Sequence, residues 1–336
     1  MLLAKKNLNT NMNKAKKTKN DEFYTLIEDI AKEVALYVPQ LKNKTIYCNC
    51  DSENSNFWKL FLYNFNHLQL KKLIATSYNN KEITYKLEYD GKNITKTPLQ
   101  QNGDFRSPEC IDILKESDIV ITNPPFSLFR EYVSQLIKHE KQFLIIGNQN
   151  AISYREIFFH IKENRIWLGY NTNKVMEFRL SKDYDKWNRI DKKTGIKYGK
   201  VPGITWYTNL EVSKRHEELI LYKEYKPKDY PKYDNYDAIN VNKIIDIPKE
   251  YYGAIGVPIT FLDKYNPEQF EMIGLGISNS GIEIGVKPYK EEHKKYRKNI
   301  QNKRAIDGDL YMLDEKGNPK VPYARILIKR RVQHDK

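Results

Sequence analysis

The sequence predicts an α/β fold built on a doubly wound, mostly parallel sheet, followed by a mixed α/β region of different character. Short apolar strands alternate with helical segments through the first half, and polar residues cluster where those strands end. Beyond about residue 170 the alternation stops and the chain turns basic and tyrosine-rich. Strands covered on both faces read as short continuous apolar runs, because βαβ crossovers place helices on each side. Ligands of such sheets sit beyond the carboxyl ends of the strands.

The elements follow in order. Residues 1–20 carry six lysines and no acid, which predicts a flexible basic arm able to lie along phosphates. From Leu26 to Val38, helical spacing of Ile27, Ile30, Ala31, Val34 and Tyr37 predicts an amphipathic helix that Pro39 helps to end. Lys44–Cys50 reads as a buried strand, Asp51 and Ser52 as a turn or N-cap, and Asn56–Phe65 as an aromatic-rich helix. Lys72–Ser77 is a second strand, and residues 79–98 form a polar hairpin with Gly91 at its tip. Asp118–Thr122 is a third strand, Phe129–Ile137 a helix, and Lys141–Gly147 a fourth strand.

The later half begins with a basic, loop-like stretch from Lys182 to Lys200. There Lys186, Arg189, Lys192, Lys193 and Lys197 are interleaved with Trp187 and Tyr198. Ile204–Thr208 is a strand and Tyr222–Asp237 a linker-like run. The C-terminus reads as a hairpin, with arms 309–313 and 321–329 turning through Lys316-Gly317-Asn318. The expected organisation is a basic arm (1–20), a sheet domain (21–210) and a second region (211–336).

Composition narrows the partners. Lys+Arg is 57 against Asp+Glu 43, a formal charge of +14. That balance favours a polyanion, nucleic acid before membrane, and 25 tyrosines supply flat side chains that can stack on bases. No run of about 18 apolar residues exists and no signal-peptide core is visible, so a soluble, cytoplasmic protein is expected. The three cysteines, Cys48, Cys50 and Cys110, lack further ligands at zinc spacing, and none of the six histidines completes a metal or nucleophile set. No metal is expected.

The chemistry concentrates at Asn123-Pro124-Pro125-Phe126, where an apolar strand stops abruptly. Two prolines fix φ and donate no hydrogen bonds, so the turn is stiff. It offers the Asn123 side chain and the Pro124 carbonyl as acceptors beside the ring of Phe126, which suits a planar base bearing an exocyclic amine. Gly103-Asp104-Phe105 is on its own a weak, turn-like signal, yet it stands about twenty residues ahead of that turn. Asp51 either caps the next helix or takes an ammonium group; the glycine-rich turn usual at such a strand end is absent from Tyr47-Cys48-Asn49-Cys50-Asp51. The same turn would fit an RNA base or a protein glutamine amide, and a degenerate pocket would leave a non-catalytic DNA-binding module.

The ordered set Asp21-Glu-Phe-Tyr-Thr25, Ile46-Tyr-Cys-Asn-Cys-Asp51, Gly103-Asp104-Phe105 and Asn123-Pro-Pro-Phe126 resembles the EcoRI-type adenine-specific DNA methyltransferases. Further matches run through Gly203–Asn209, Gly256–Pro267 and Pro322–Lys329, so the resemblance covers most of the chain beyond the arm. It implies a Rossmann-like class I methyltransferase domain over 21–210 and a target-recognition region over 211–336. It further implies transfer of a methyl group from S-adenosylmethionine to N6 of an adenine flipped out of double-stranded DNA. By position, Tyr24, Thr25, Asn49, Asp51, Asp104 and Phe105 would line the cofactor, and Asn123, Pro124, Pro125 and Phe126 would hold the base. Trp206 or Tyr207 would add a second wall, and Lys186, Arg189, Lys192, Lys193 and Lys197 would meet DNA. The resemblance also implies a site related to GAATTC and a cognate restriction endonuclease acting alongside without a stable complex.

Overall fold

The computed structural model describes residues 24–172, 175–180 and 187–332. The expected basic arm and Lys186 therefore lie outside the described residues, as does the side chain of Tyr24. The fold is mixed α/β with parallel and antiparallel sheets, in two compact units. One falls within Met1–Ala151 and Ile166–Glu211, the other within Ile152–Arg165 and Val212–Lys336.

The first unit is organised by an eight-stranded sheet. Its parallel centre is β2 (Thr45–Cys48), flanked by β3 (Lys72–Ala75) and β6 (Ile119–Thr122), with β7 (Gln142–Asn148) beside β6. Each of β2 and β6 is buried along its whole length, as continuous apolar runs require. The polar hairpin β4 (Tyr85–Tyr89) and β5 (Ile94–Pro98) extends one edge antiparallel to β3, turning at Gly91 with φ +94°. On the other side β12 (Ile204–Thr208) inserts antiparallel between β7 and β8 (Trp167–Leu168).

Helices cover both faces, and β12 shows how. Neighbouring strand residues point to opposite faces. The Trp206 ring meets Phe57 of α3 (Asn56–Tyr63) edge-on at 6.2 Å, while Tyr207 meets Phe129 of α5 (Phe129–Lys138) at 5.0 Å. Gly147 makes the second contact possible, since a Cβ there would lie 2.5 Å from the Phe129 ring. Before α3 come α1 (Ile27–Val34) and α2 (Val38–Leu41), and between α3 and α5 lies α4 (Pro108–Glu116). Pro39 stands inside the first turn of α2, where its missing N–H costs nothing, so the chain stays helical past the expected stop. The loop after β8 is held to α1 by buried Glu33, which accepts from Tyr37 Oη, from Asn171 Nδ2 and from the backbone N–H groups of Tyr170 and Asn171.

A smaller four-stranded antiparallel sheet orders β1 (Tyr24–Thr25), β9 (Met176–Arg179), β11 (Lys197–Val201) and β10 (Arg189–Ile190). The basic stretch expected as a loop is thus a hairpin. Asp191 Oδ1 accepts from the N–H groups of Lys193 and Thr194, and Gly195 takes φ +67°, which close the turn.

The second unit contains α6 (Arg155–Lys162) and a sheet ordered β13 (Ala238–Asn240), β14 (Ala254–Pro258), β18 (Arg325–Arg330) and β15 (Phe270–Leu275). Tyr233, Ala238, Ala254, Val286, Leu310, Met312 and Leu327 pack into one of its apolar clusters. The C-terminal hairpin differs from the expected one. Its arms are only β16 (Met312–Leu313) and β17 (Pro319–Lys320), whereas the apolar run that follows becomes β18, a central strand between β14 and β15. A run buried on both faces is more stable between two strands than on an exposed hairpin arm.

Candidate active site

The parallel strands β2 and β6 bring the first-strand loop beside the Asn-Pro-Pro-Phe turn. Thr122, the last residue of β6, donates its hydroxyl to Asp51 Oδ2 at 2.5 Å, just beyond β2. The next residue is Asn123, whose amide nitrogen donates to Thr25 Oγ1 at 3.3 Å, and Asn56 Nδ2 holds the Thr25 carbonyl at 2.8 Å. One strand end therefore gathers Thr25, Asp51 and Asn123. Pro124 is buried while Asn123, Pro125 and Phe126 are half-buried, so the turn borders the surface. The Pro125 carbonyl accepts from Leu128 N–H at 3.0 Å, which closes the turn into the short helix Phe126–Leu128 leading to α5.

Asn49 joins through a residue that sequence reasoning passed over. Tyr132, fully buried on α5, donates its hydroxyl to Asn49 Oδ1 and sets its ring edge-on to Phe105 at 5.0 Å. Gln135, one turn further along, donates to the Phe105 carbonyl at 2.8 Å. The helix that follows the diproline turn thus positions both Asn49 and Phe105. The available signal was spacing: Phe129, Tyr132, Val133 and Leu136 make the buried stripe of α5. Replacing Tyr132 with Phe keeps the ring and removes one hydrogen bond to a buried amide. With Asn49 in its expected place beside the cofactor, the affinity for S-adenosylmethionine should fall about tenfold with a small change in melting temperature, read by calorimetry.

Two carboxylates differ sharply in setting. Asp51 is buried, and burial pushes its carboxyl up to about 6, against the opposing hydrogen bonds from Thr122 and Ser55. Asp104 is held below the usual carboxylate range by Arg106, which reaches it with Nη2 at 2.6 Å and with Nε and its backbone N–H at 2.9 Å each. Asp104, expected to line the cofactor, is therefore already engaged by the guanidinium fork of a residue two positions on. Gly103 allows the loop its path: it has φ +73°, and a Cβ would lie 2.2 Å from the Ser77 carbonyl oxygen.

Trp206 and Tyr207 require correction. They are 1% and 0% exposed, packed on opposite faces of β12, so neither presents a wall to a base. Among the DNA-facing candidates, Lys192 and Lys193 are exposed at the hairpin turn. Arg189 pairs with Glu177 at 2.8 Å and lies 4.0 Å from the centre of the Tyr198 ring, while Lys197 Nζ sits 4.4 Å from that of Trp187. No cluster of potential metal ligands exists among the described residues. Cys48 is core, as expected, while Cys50 beyond the strand is only half-buried.

The family described as adenine-specific methyltransferase EcoRI matches residues 11–331. The chain belongs to that family. The type II methyltransferase M.EcoRI of Escherichia coli is 45% identical, covering 98% of this chain and 99% of its own length. M.MgeORF184P of Mycoplasma genitalium is 50% identical and M.MpnI of Mycoplasma pneumoniae 46%, each over 78% of this chain and 84% of theirs. No solved structure matches. As a member of the EcoRI methyltransferase family, the protein is an adenine-specific DNA methyltransferase. No helix among the described residues is long and apolar enough to cross a membrane.

Proposed function

We propose that the strand-end cluster binds S-adenosylmethionine beside an adenine rotated out of duplex DNA, and that the methyl group passes to N6. In this reading the eight-stranded sheet is a Rossmann-like class I methyltransferase sheet. The observation that carries it is the pair of bonds, Asp51 to Thr122 and Asn123 to Thr25, that ties the first-strand loop to the diproline turn.

Asp51 takes the cofactor's ammonium, Asn49 and Phe105 border the remainder, and Tyr24 and Thr25 close one side. When bound, S-adenosylmethionine supplies an electrophilic methyl on a sulfonium. The adenine amine is a poor nucleophile because its lone pair is delocalised into the ring. Asn123 Oδ1 and the Pro124 carbonyl accept its two hydrogens, favour a pyramidal nitrogen, and stabilise the positive charge that grows there during attack. Thr25, by holding the amide nitrogen, orients the Asn123 oxygen toward that task. Phe126 stacks on the base, worth about 1–3 kcal/mol, which offsets part of the few kcal/mol needed to unstack it. Positioning supplies much of the rest.

The hairpin β10–β11 meets the DNA backbone through Lys192 and Lys193, with Arg189 and Lys197 braced on aromatic rings behind them. The methylated sequence belongs to a type II restriction–modification context, with a GAATTC-related site as the expectation. Sequencing modified bases in DNA from cells expressing the chain tests this. N6-methyladenine confined to one short sequence is expected; unmodified DNA, or methyl transfer to RNA or protein instead, contradicts it.

A further inference from the structure

In the second unit, three strand ends meet at one edge of the sheet. Asn240 ends β13 and registers with Gly256, while Arg325 begins β18 and registers with Pro258. Arg325 is only 8% exposed, and its guanidinium is held by neutral oxygens throughout. Nε donates to Asn240 Oδ1 at 3.1 Å, Nη2 to Asn242 Oδ1 at 3.0 Å and Nη1 to the Tyr323 carbonyl at 2.9 Å. Asn240 Oδ1 is itself fixed by Tyr233 Oη at 2.7 Å, and a Cβ at position 256 would lie 2.2 Å from that hydroxyl. The frame is rigid.

What the frame lacks is a negative charge. Arg106, Arg155 and Arg189 each pair with a carboxylate, but among the described residues Arg325 forms no salt bridge. An arginine stays protonated under all ordinary conditions, so this site buries a full positive charge against dipoles alone. Such an arrangement is costly unless an anion completes it. The guanidinium has five N–H groups, of which three are used in these bonds. Two of the flanking residues, Asn242 and Tyr323, are exposed, Tyr323 at 59%, so the charge lies one side chain beneath the surface.

We propose that Arg325, framed by Asn242 and Tyr323, is a binding site for one backbone phosphate of the substrate DNA. This rests on the reading of the chain as a DNA-methylating enzyme. A phosphate suits the site better than a base edge, because it brings charge as well as acceptors, and a fork of N–H groups matches its geometry. The contact anchors the duplex without reading sequence.

The test is equilibrium binding of the full-length protein to a substrate duplex and to an unrelated duplex across a salt series. Arg325→Gln is expected to weaken both complexes about tenfold and to shallow the salt slope by about 0.9, the signature of one lost phosphate contact. Asn242→Asp supplies a carboxylate to the guanidinium from an exposed position that does not endanger folding. It is expected to raise the melting temperature while weakening DNA binding and shallowing the slope in the same way. Affinity and slope unchanged in Asn242→Asp would make Arg325 a structural staple and overturn the proposal. Loss confined to the substrate duplex at constant slope would mean base readout and overturn it too. A wild-type protein that binds neither duplex would fail the underlying reading as well.

Discussion

Asn123→Ala is expected to lose about 10²–10³-fold in turnover while binding S-adenosylmethionine nearly as the wild type does. The magnitude follows from the role assigned to the side chain. An acceptor aimed at charge that appears only in the transition state is worth about 3–4 kcal/mol, and each 1.4 kcal/mol is tenfold in rate. The selectivity follows from position. Asn123 stands on the β6 side of the cluster and meets the cofactor residues only at Thr25, whereas Asn49, Asp51 and Phe105 are held by Thr122 and Tyr132. Asn123→Asp is informative beside it, since it keeps an acceptor but gives up the amide N–H that Thr25 receives. Single-turnover kinetics with saturating cofactor separates the two effects, and an alanine variant within a few-fold of wild type would remove Asn123 from the chemistry.

The second large effect belongs to Asp51. With its carboxyl pushed up to about 6 from the ordinary 3.8, the native protein holds this proton where the unfolded chain has released it. The favourable contribution is therefore complete below the ordinary value and is lost as pH rises through about 6. By pH 8 the buried charge costs on the order of 3 kcal/mol of stability. Binding of an ammonium reverses the balance, because the pair is stable only when the carboxylate is charged. Cofactor affinity should therefore fall about tenfold per pH unit below 6 and level off above it. In Asp51→Asn that dependence should flatten, affinity should drop about 10²-fold, and the melting temperature at pH 8 should rise. Calorimetric titration across pH 5–8 reads all but the last, which thermal unfolding supplies. An unaltered affinity and pH profile in the asparagine variant would place the cofactor's ammonium elsewhere.

Much of this was legible in the residues because local chemistry and tertiary placement agreed. The run Ile119–Thr122 could only be a buried strand, and the prolines after it could only end it, so the position of Asn123 at a strand's carboxyl end followed directly. In the first unit β2 to β7, β12, α3 and α5 lie close to where apolar periodicity placed them, whereas β1, β8 and β9 were not expected. Long-range partners were not legible. Nothing local announces that Tyr132 reaches Asn49 across 83 positions; the fold-back of Arg106 on Asp104, two residues away, is local and was passed over. Trp206 and Tyr207 illustrate the opposite error: aromatic residues in an apolar strand serve core packing as readily as recognition, and here both faces of β12 are covered. The basic stretch hid a hairpin because its charges obscured an Asp-x-x-x-Gly turn that Asp191 and Gly195 close. Arg325 was visible only as one residue in a matching segment. That no carboxylate meets it among the described residues is a property of three dimensions.

The most direct measurement is a structure of the protein with duplex DNA and a non-reactive S-adenosylmethionine analogue. The account predicts the target adenine outside the helix, its N6 within about 3.2 Å of both Asn123 Oδ1 and the Pro124 carbonyl, and the analogue's ammonium on Asp51. An adenine still stacked in the duplex, or an amine seated away from Asn123 and Pro124, would contradict it.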